Sequence, residues 1–485
     1  MTFKTASSLL LLFAEIATVS ACKVYTIDSS SNWGTWEGWG TSLAWWAKAF
    51  GNNEQLADIT FSLDTVSYSG ASLPGLGMTI ARYNAGACSW NQVDGEVMVV
   101  APDISPSRQI DGFWLDPAST IATSSSWNFT VDANQRNMMQ LAKNRGVKTF
   151  ELFSNSPMWW MCINQNPSGS NDGSSNNLQP QYYEQHALYL ATIAKYASEH
   201  WGIDFVSVDA FNEPSDNDWS GLTGSQEGCH FSIDSMSDII PRLRSELDRQ
   251  GLTSVIVSAS DENTYDEAIT TWNGLTSTAR TDVGRINVHG YQFFNGNRSG
   301  LYELASAAGK GLWNSEYSEP DPTGYLLASS LLLDLQQLHP TAWIYWQVVD
   351  DSSGWGLMLG NDTSGTLGVV NQKYYVLAQF TRHIRPGMRI LSGGSSNAIA
   401  AYDAERSKLV IVAVNLDDAG NITFDLSNFS QPSVDGSLVK RWSTQIGDSG
   451  LQYQAYSDTH MKGKFFFSHF DTGVIQTFEI SDVKL

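Results

Sequence analysis

The sequence predicts an α/β protein in which a parallel (β/α)8 barrel, of the TIM-barrel type, precedes a C-terminal antiparallel β-sandwich. Two observations lead to this prediction. Between about residues 36 and 385, short β-rich runs alternate with longer helical patterns. After Pro386-Gly387, short strands and turns follow one another without a convincing helix. Alternating β and α elements favour a parallel sheet with helices outside it, and consecutive short strands favour a sandwich.

Eight β-rich runs supply the strands of the predicted barrel. They lie at residues 36–40, 78–84, 148–155, 205–212, 254–260, 285–291, 311–316 and 342–347. Helical patterns separate them, and in the clearest one Met236, Ile240, Leu243 and Leu247 form a single apolar stripe that ends before Gly251. A doubly wound open sheet is the alternative, but no G-x-G-x-x-G motif follows the first strands.

The N-terminus has the pattern of a secretory signal peptide. Lys4 precedes an apolar run at 8–13, and the small residues Val19 and Ala21 precede the expected cleavage point. We therefore divide the chain into a signal peptide (1–21), a strand that joins the sandwich (22–35), the barrel (36–385) and the sandwich (386–485). No later run approaches the roughly 20 apolar residues of a membrane span, so a secreted, extracellular protein is expected.

Cysteines and glycosylation motifs fit an oxidising compartment. The four cysteines, Cys22, Cys88, Cys162 and Cys229, form an even set that predicts disulfide bonds, and three pairings remain open. A zinc site is the alternative reading, although no C-x-x-C pair is present. Five N-x-S/T motifs predict a glycoprotein, at Asn128, Asn297, Asn361, Asn421 and Asn428.

Composition narrows the class of ligand. The net charge of −22 would repel phosphate backbones and anionic membrane surfaces, so we expect neither nucleic acid nor a membrane as partner. Eighteen tryptophans and eighteen tyrosines in a chain with only 16% charged residues favour neutral polar ligands such as sugars, whose C–H faces stack on indole rings. No H-E-x-x-H, phosphate loop or G-x-S-x-G motif is present, so neither a metal nor a cofactor is predicted.

Two glutamates carry the predicted chemistry. In a β/α barrel, reactive side chains lie at the carboxyl ends of the strands. The fourth β-rich run ends in Asn212-Glu213-Pro214 and the seventh in Ser315-Glu316, so the two carboxylates should face each other across the mouth. At about 5–5.5 Å, such a pair cleaves a glycosidic bond with retention of configuration. A structural role, as a salt-bridged or solvated carboxylate, is the alternative for either residue.

Further motifs give this pair a family resemblance. The set resembles glycoside hydrolase family 30, and it comprises Gly38-Trp39-Gly40, Ala81-Arg82-Tyr83-Asn84, Ser156-Pro157-Met158-Trp159-Trp160-Met161, His289-Gly290-Tyr291 and Trp346-Gln347. The stretch 33–47 is similar to the fungal endo-β-1,6-galactanases of that family. The resemblance covers essentially the whole mature chain.

The resemblance also implies roles for individual residues. Glu213 would be the general acid/base and Glu316 the nucleophile, while Asn212 would bind the sugar 2-hydroxyl. Tyr291 would hydrogen-bond the nucleophile, with His289 beside it.

Three more residues would complete the sugar site. Arg82 would supply positive charge near the carboxylates, and Trp160 and Trp346 would form walls of the pocket. Met158 stands where relatives carry a tryptophan directly after Ser-Pro.

The implied function is a secreted, monomeric, retaining endo-glycosidase acting on β-1,6-galactan or arabinogalactan side chains. Another activity of the same family is the alternative: endo-β-1,6-glucanase, endo-xylanase or β-glucosylceramidase. A non-catalytic carbohydrate-binding protein that uses the barrel groove is an alternative of a different class, but the presence of both glutamates and of Asn212 argues against it.

Overall fold

A computed structural model describes residues 23–352 and 354–485. The predicted signal peptide and Cys22 lie outside the described residues. Eight parallel strands close into a barrel in which the eighth strand pairs with the first, Ala342 opposite Gly38. In chain order the strands are Gly38–Ser42, Ile80–Asn84, Thr149–Phe153, Phe205–Asp209, Ile256–Glu262, Val283–His289, Gly311–Tyr317 and Ala342–Tyr345. The predicted barrel is confirmed, with each strand inside or within three residues of its predicted run.

Helices follow the barrel strands and bury one face against them. The predicted stripe of Met236, Ile240, Leu243 and Leu247 is buried on a helix that begins after Ser232, whose side chain accepts a hydrogen bond from the Ser235 amide. The α-helices are Ala44–Phe50, Glu54–Phe61, Ala133–Asn144, Tyr183–Tyr196, Ile233–Arg249, Tyr265–Gly274, Ser277–Asp282, Arg298–Ala307, Tyr325–Leu333 and Gln372–Thr381. No helix within the described residues is long and apolar enough to cross a bilayer.

Glycine allows the first two barrel strands to approach each other. A Cβ atom at Gly40 would lie 2.7 Å from the Cβ of Ile80 and 2.8 Å from its carbonyl oxygen, which is closer than such atoms can approach. Any side chain at this position would push the first strand away from the second and disturb the closure of the barrel.

The lumen of the barrel contains a charged network. The carboxylate of Glu151 accepts hydrogen bonds from Arg82 Nε at 2.9 Å and from Ser207 Oγ at 2.7 Å, and it also pairs with Arg285. All four side chains are buried. A buried charge is tolerated only when it is paired and hydrogen-bonded, so these contacts fix the strands that carry them.

The C-terminal region forms a sandwich, as predicted. Its six-stranded antiparallel sheet has the order Arg389–Ser392, Ala398–Asp403, Lys408–Asn415, Val474–Ile480, Leu438–Gln445 and Gln454–His460. A three-stranded sheet, Lys23–Thr26, Gly420–Asp425 and Phe465–Phe470, packs against it through aromatic side chains such as Phe424 and Phe478. The sequence pattern indicates strands at 399–402, 409–416, 421–426, 438–443, 465–470 and 474–480, so it misses the first and last strands of the larger sheet.

The central strands of the six-stranded sheet are buried on both faces. Along Lys408–Asn415, Leu409 and Ile411 point into the sandwich core, whereas Val410 and Val412 belong to the core shared with the barrel. Side chains alternate across a strand, so a continuous apolar run is what a strand covered on both sides requires. The sandwich therefore covers apolar surface of the barrel.

The predicted disulfides are wrong for the cysteines that the structure describes. Cys88, Cys162 and Cys229 are buried free thiols, and burial raises the pKa of each. Cys88 Sγ lies 3.3 Å from a carboxylate oxygen of Glu227. These cysteines pack as small apolar residues with a weak donor, so an even count did not indicate pairing here.

Removal of residues 388–485 tests the packing of the sandwich. The shortened chain would expose the barrel surface that Val410 and Val412 cover, and contiguous apolar surface promotes aggregation. We expect an insoluble product in a sedimentation assay of the cell lysate. A soluble, fully active barrel would contradict this interpretation of the interface.

Candidate active site

A pocket of about 450 Å³ opens at the carboxyl ends of the barrel strands. Its lining combines carboxylates with aromatic rings and includes Glu213, Glu316, Asn212, Tyr291, Trp45, Trp219, Trp346, Trp355, Arg108 and Asp350. The eight strand ends meet at this edge of the barrel, which brings residues from distant parts of the chain together.

Glu213 and Glu316 face each other in this pocket. One carboxylate oxygen of each, together with a ring nitrogen of His289, all lie within 4.8 Å of one another. Both glutamates are buried, with side chains about a tenth exposed or less. This separation of carboxylate oxygens is close to the about 5–5.5 Å of retaining glycosidase pairs and shorter than the about 6.5–9.5 Å of inverting pairs.

The backbone turns sharply at Glu213. Its φ of +47° lies in the left-handed region, and its amide donates to the carbonyl oxygen of Asp261 at 2.8 Å. A non-glycine residue in this region costs of order 1–3 kcal/mol and persists only where its surroundings hold it. The hydrogen bond to the fifth barrel strand holds Glu213 in the conformation that points its side chain into the pocket.

Two donors hold the carboxylate of Glu316. Tyr291 Oη donates to one oxygen at 2.9 Å, and Arg82 Nη1 donates to the other at 3.2 Å. Burial raises the pKa of Glu316 above its ordinary value, whereas the cations of His289 and Arg82 oppose that shift. The two donors also fix the orientation of the carboxylate toward the pocket.

His289 lies between the two glutamates. Its Nδ1 is 2.9 Å from Glu213 and 3.5 Å from Glu316, and its Nε2 is 3.6 Å from Asp261. Burial opposes protonation, but the three carboxylates outweigh it and raise the pKa of His289 to about 10. The ring is therefore a buried cation at neutral pH.

Asp261 is a third buried carboxylate that the sequence analysis passed over. It pairs with Arg82, accepts from Ser315 Oγ and faces His289. Burial raises its pKa, but Arg82 and His289 outweigh this and lower the pKa of Asp261 to about 2. Its position directly after the fifth predicted β-rich run was the available signal, because that is where barrel strands present functional side chains.

The cluster of Glu213, His289 and Glu316 also has the spacing of a cation site. A protonated imidazole has no lone pair to offer a metal, so a bound cation would have to displace the proton that the carboxylates favour on His289.

Asn212 and two tryptophans shape the sugar pocket. The Oδ1 atom of buried Asn212 finds no hydrogen-bond donor within the described part of the chain, and its side chain lines the pocket. The rings of Trp346 and Trp45 lie 5.1 Å apart, nearly perpendicular, and both line the same pocket. An open acceptor beside aromatic faces is the combination that a sugar ring requires.

Trp160 is not among the side chains that line this pocket. Its indole nitrogen donates to the carbonyl oxygen of Trp114 at 2.9 Å, and its ring packs against Trp114 and Tyr182. The structure therefore corrects its sequence-based assignment to the sugar wall. Trp45 lines the pocket instead, with the guanidinium of Arg108 4.2 Å above its ring.

Trp219 was also missed. It lies in the loop after the fourth strand, and its Nε1 donates to the carbonyl oxygen of Glu213 at 2.8 Å. Gly228 packs under the indole, where a Cβ would lie 2.1 Å from the ring. No motif marks this contact, because it depends on how the loop folds back.

Comparisons with known proteins identify the family of this chain. The profile described as O-glycosyl hydrolase family 30 matches residues 22–298. The chain belongs to this family. It is 56% identical over 476 residues to an endo-β-1,6-galactanase of Hypocrea rufa, and the match covers 98% of both chains.

Solved structures share the fold at low sequence identity. A conserved exported protein of Bacteroides fragilis aligns with a TM-score of 0.75 at 17% identity, covering 94% of this chain and 100% of that one. A family 30 subfamily 8 xylanase of Clostridium acetobutylicum aligns with a TM-score of 0.68 at 20% identity, covering 94% and 99%. At these identities the comparison establishes the fold alone.

Replacing Asp261 with Asn tests the charge of His289. The change keeps the shape but removes the carboxylate that faces Nε2, so we expect the titration midpoint of His289 to fall by about 1 to 3 pH units. NMR titration of the imidazole resonances measures it. Glu262→Gln is the matched control, because this neighbouring buried carboxylate contacts Ser215 and Thr271. An unchanged midpoint in Asp261→Asn would contradict the assigned role.

Proposed function

We propose that this chain is a retaining endo-β-1,6-galactanase that cleaves galactan or arabinogalactan side chains through a covalent glycosyl-enzyme. The observation that carries the proposal is the close approach of Glu213 and Glu316 across a pocket lined by tryptophans. The 56% identity to an endo-β-1,6-galactanase over nearly the whole chain supports galactan as the substrate.

In the first step, a carboxylate oxygen of Glu316 attacks the anomeric carbon. The bond between that carbon and O6 of the next galactose breaks, and Glu213 transfers a proton to the departing O6. A primary alkoxide is a poor leaving group, so the proton must arrive as the bond breaks. Arg82 and Tyr291 hold the attacking oxygens and the negative charge in place until the ester forms.

In the second step, water attacks the anomeric carbon of the ester. Glu213, now ionised, takes a proton from that water, and Glu316 leaves as a carboxylate. Two inversions give net retention, so the first product carries the β configuration. Asn212 would bind the 2-hydroxyl through its open Oδ1, a contact that strengthens as positive charge develops on the sugar.

His289 supports both steps by its charge. This buried cation contacts Glu213 and faces Glu316. It stabilises the Glu316 carboxylate before the attack and the Glu213 carboxylate after Glu213 has given up its proton. Because His289 is fully buried, this interaction is stronger than it would be in solvent.

Secretion and a soluble polysaccharide partner complete the proposal. The N-terminal pattern of Lys4, an apolar run and small residues supports export. The net charge of −22 is compatible with a neutral glycan and unfavourable for phosphate-rich partners. We propose that the enzyme acts as a monomer.

A panel of polysaccharides tests the substrate. We expect short β-1,6-galacto-oligosaccharides from β-1,6-galactan and little product from β-1,6-glucan, xylan or an aryl β-glucoside, with products resolved by size. Faster release from β-1,6-glucan or xylan would assign the chain a different activity of the family. Release of single sugars only would replace endo with exo action.

Variants of the two glutamates test their roles. Glu316→Gln should lose activity on every substrate by several orders of magnitude, since no group remains to form the ester. Glu213→Gln should slow galactan hydrolysis by about 10²- to 10⁴-fold. On an aryl β-1,6-galactobioside, whose phenolate leaves without a proton, Glu213→Gln should still form the ester, and added azide should accelerate turnover. If azide instead restored activity to Glu316→Gln and gave a β-configured glycosyl azide, the roles of the two glutamates would be reversed.

A further inference from the structure

The outer face of the three-stranded sheet carries exposed aromatic side chains. Phe465 and Phe467 alternate with buried Phe466 on the strand Phe465–Phe470, and both are nearly half exposed, at 46% and 45%. Large aromatic side chains cost free energy in water unless something covers them. The question is therefore what lies over this face in the mature protein.

A glycosylation motif lies on the same face. Asn421, Ile422 and Thr423 form the motif Asn-Ile-Thr on the strand Gly420–Asp425, and Ile422 points into the sandwich core while Asn421 is exposed. Side chains two apart on a strand share a face, so Asn421 and Thr423 project outward. An oligosaccharide attached to Asn421 would leave the protein from this surface.

The strand register places Phe467 beside that attachment point. Asn421 is opposite His469 and Thr423 is opposite Phe467, so Asn421 and Phe467 are diagonal neighbours on one face. Diagonal side chains of an antiparallel pair are about 7–8 Å apart at the backbone, within reach of an aromatic ring and its partner. The first sugar linked to Asn421 can therefore reach the Phe467 ring.

The chemistry of the two surfaces is complementary. The face of a pyranose ring presents C–H groups, and the face of a phenyl ring presents π electrons of negative potential. Lys462 Nζ lies 4.4 Å from the Phe467 centroid, and 45% of Phe467 is nevertheless exposed to solvent. Asn361, an exposed motif residue, is opposite Thr366 on its neighbouring strand, and no aromatic ring of the described residues is paired with it there.

We propose that Asn421 carries an N-linked glycan whose first N-acetylglucosamine packs over Phe467. The glycan covers the aromatic face, stabilises the sandwich and shields the outer sheet from association with other molecules. The proposal requires passage through the secretory pathway, which is where such glycans are attached.

Thermal unfolding of a double-mutant cycle tests the proposal. The full chain is secreted from a yeast host, its glycans are trimmed to single N-acetylglucosamines, and occupancy at Asn421 is read by peptide mass spectrometry. Asn421→Gln and Phe467→Ala are compared singly and together, with Asn361→Gln as the matched control. The parent, the two single variants and the double variant form one cycle. The same proteins, made without glycans in bacterial cytoplasm, form the second cycle.

We expect Asn421 to be occupied and Asn421→Gln to lower Tm by about 1 to 3 °C in the glycosylated protein only. That loss should vanish in the Phe467→Ala background, because coupling is the signature of direct contact. Asn361→Gln, measured with and without Phe467→Ala, should change Tm by the same amount in both backgrounds. An unoccupied Asn421, or additive effects of the two changes, would overturn the proposal. Phe467-dependent binding of β-1,6-galactan by the unglycosylated protein would overturn it too, by making the face a substrate platform.

Discussion

The candidate site depends on the guanidinium of Arg82, which has no contact with solvent. It bonds to Glu151 in the barrel lumen, to Asp261 on the fifth strand and to Glu316 on the seventh. Carboxylates of the third, fifth and seventh barrel strands are thus fixed to one side chain of the second strand. Removing one partner of such a buried pair costs about 3–5 kcal/mol, so the strand ends cannot shift independently.

Two buried cations separate the carboxylates of the site. Arg82 and His289 are both buried cations, and between them they contact Asp261, Glu316 and Glu213. In a region of low dielectric these pairings are strong, and they permit the carboxylates of Glu213 and Glu316 to lie close together without both becoming neutral. The same arrangement explains the sharp turn at Glu213, because the backbone of Asp261 holds it while the Asp261 side chain holds Arg82.

The sequence was informative wherever burial dictates residue type. Eight apolar runs predicted eight strands, and the ends of the fourth and seventh predicted Glu213 and Glu316. Aromatic residues were harder to place, because a tryptophan is equally suited to a core and to a sugar pocket. Trp45 lines the pocket while its neighbour Trp46 is wholly buried, since adjacent positions on a helix point about 100° apart. The prediction for Trp160 was wrong for this reason. The position of Trp219 in the pocket depends on a loop that no local pattern specifies.

The configuration of the first sugar released tests the central claim most directly. Proton NMR of β-1,6-galacto-oligosaccharide cleavage, recorded in the first minutes before mutarotation, distinguishes the two anomers. Carboxylates held this close by Arg82 and His289 predict that the β anomer appears first and the α anomer only later. Initial appearance of the α anomer would mean that water attacks directly, and the account of Glu316 as a nucleophile would be wrong.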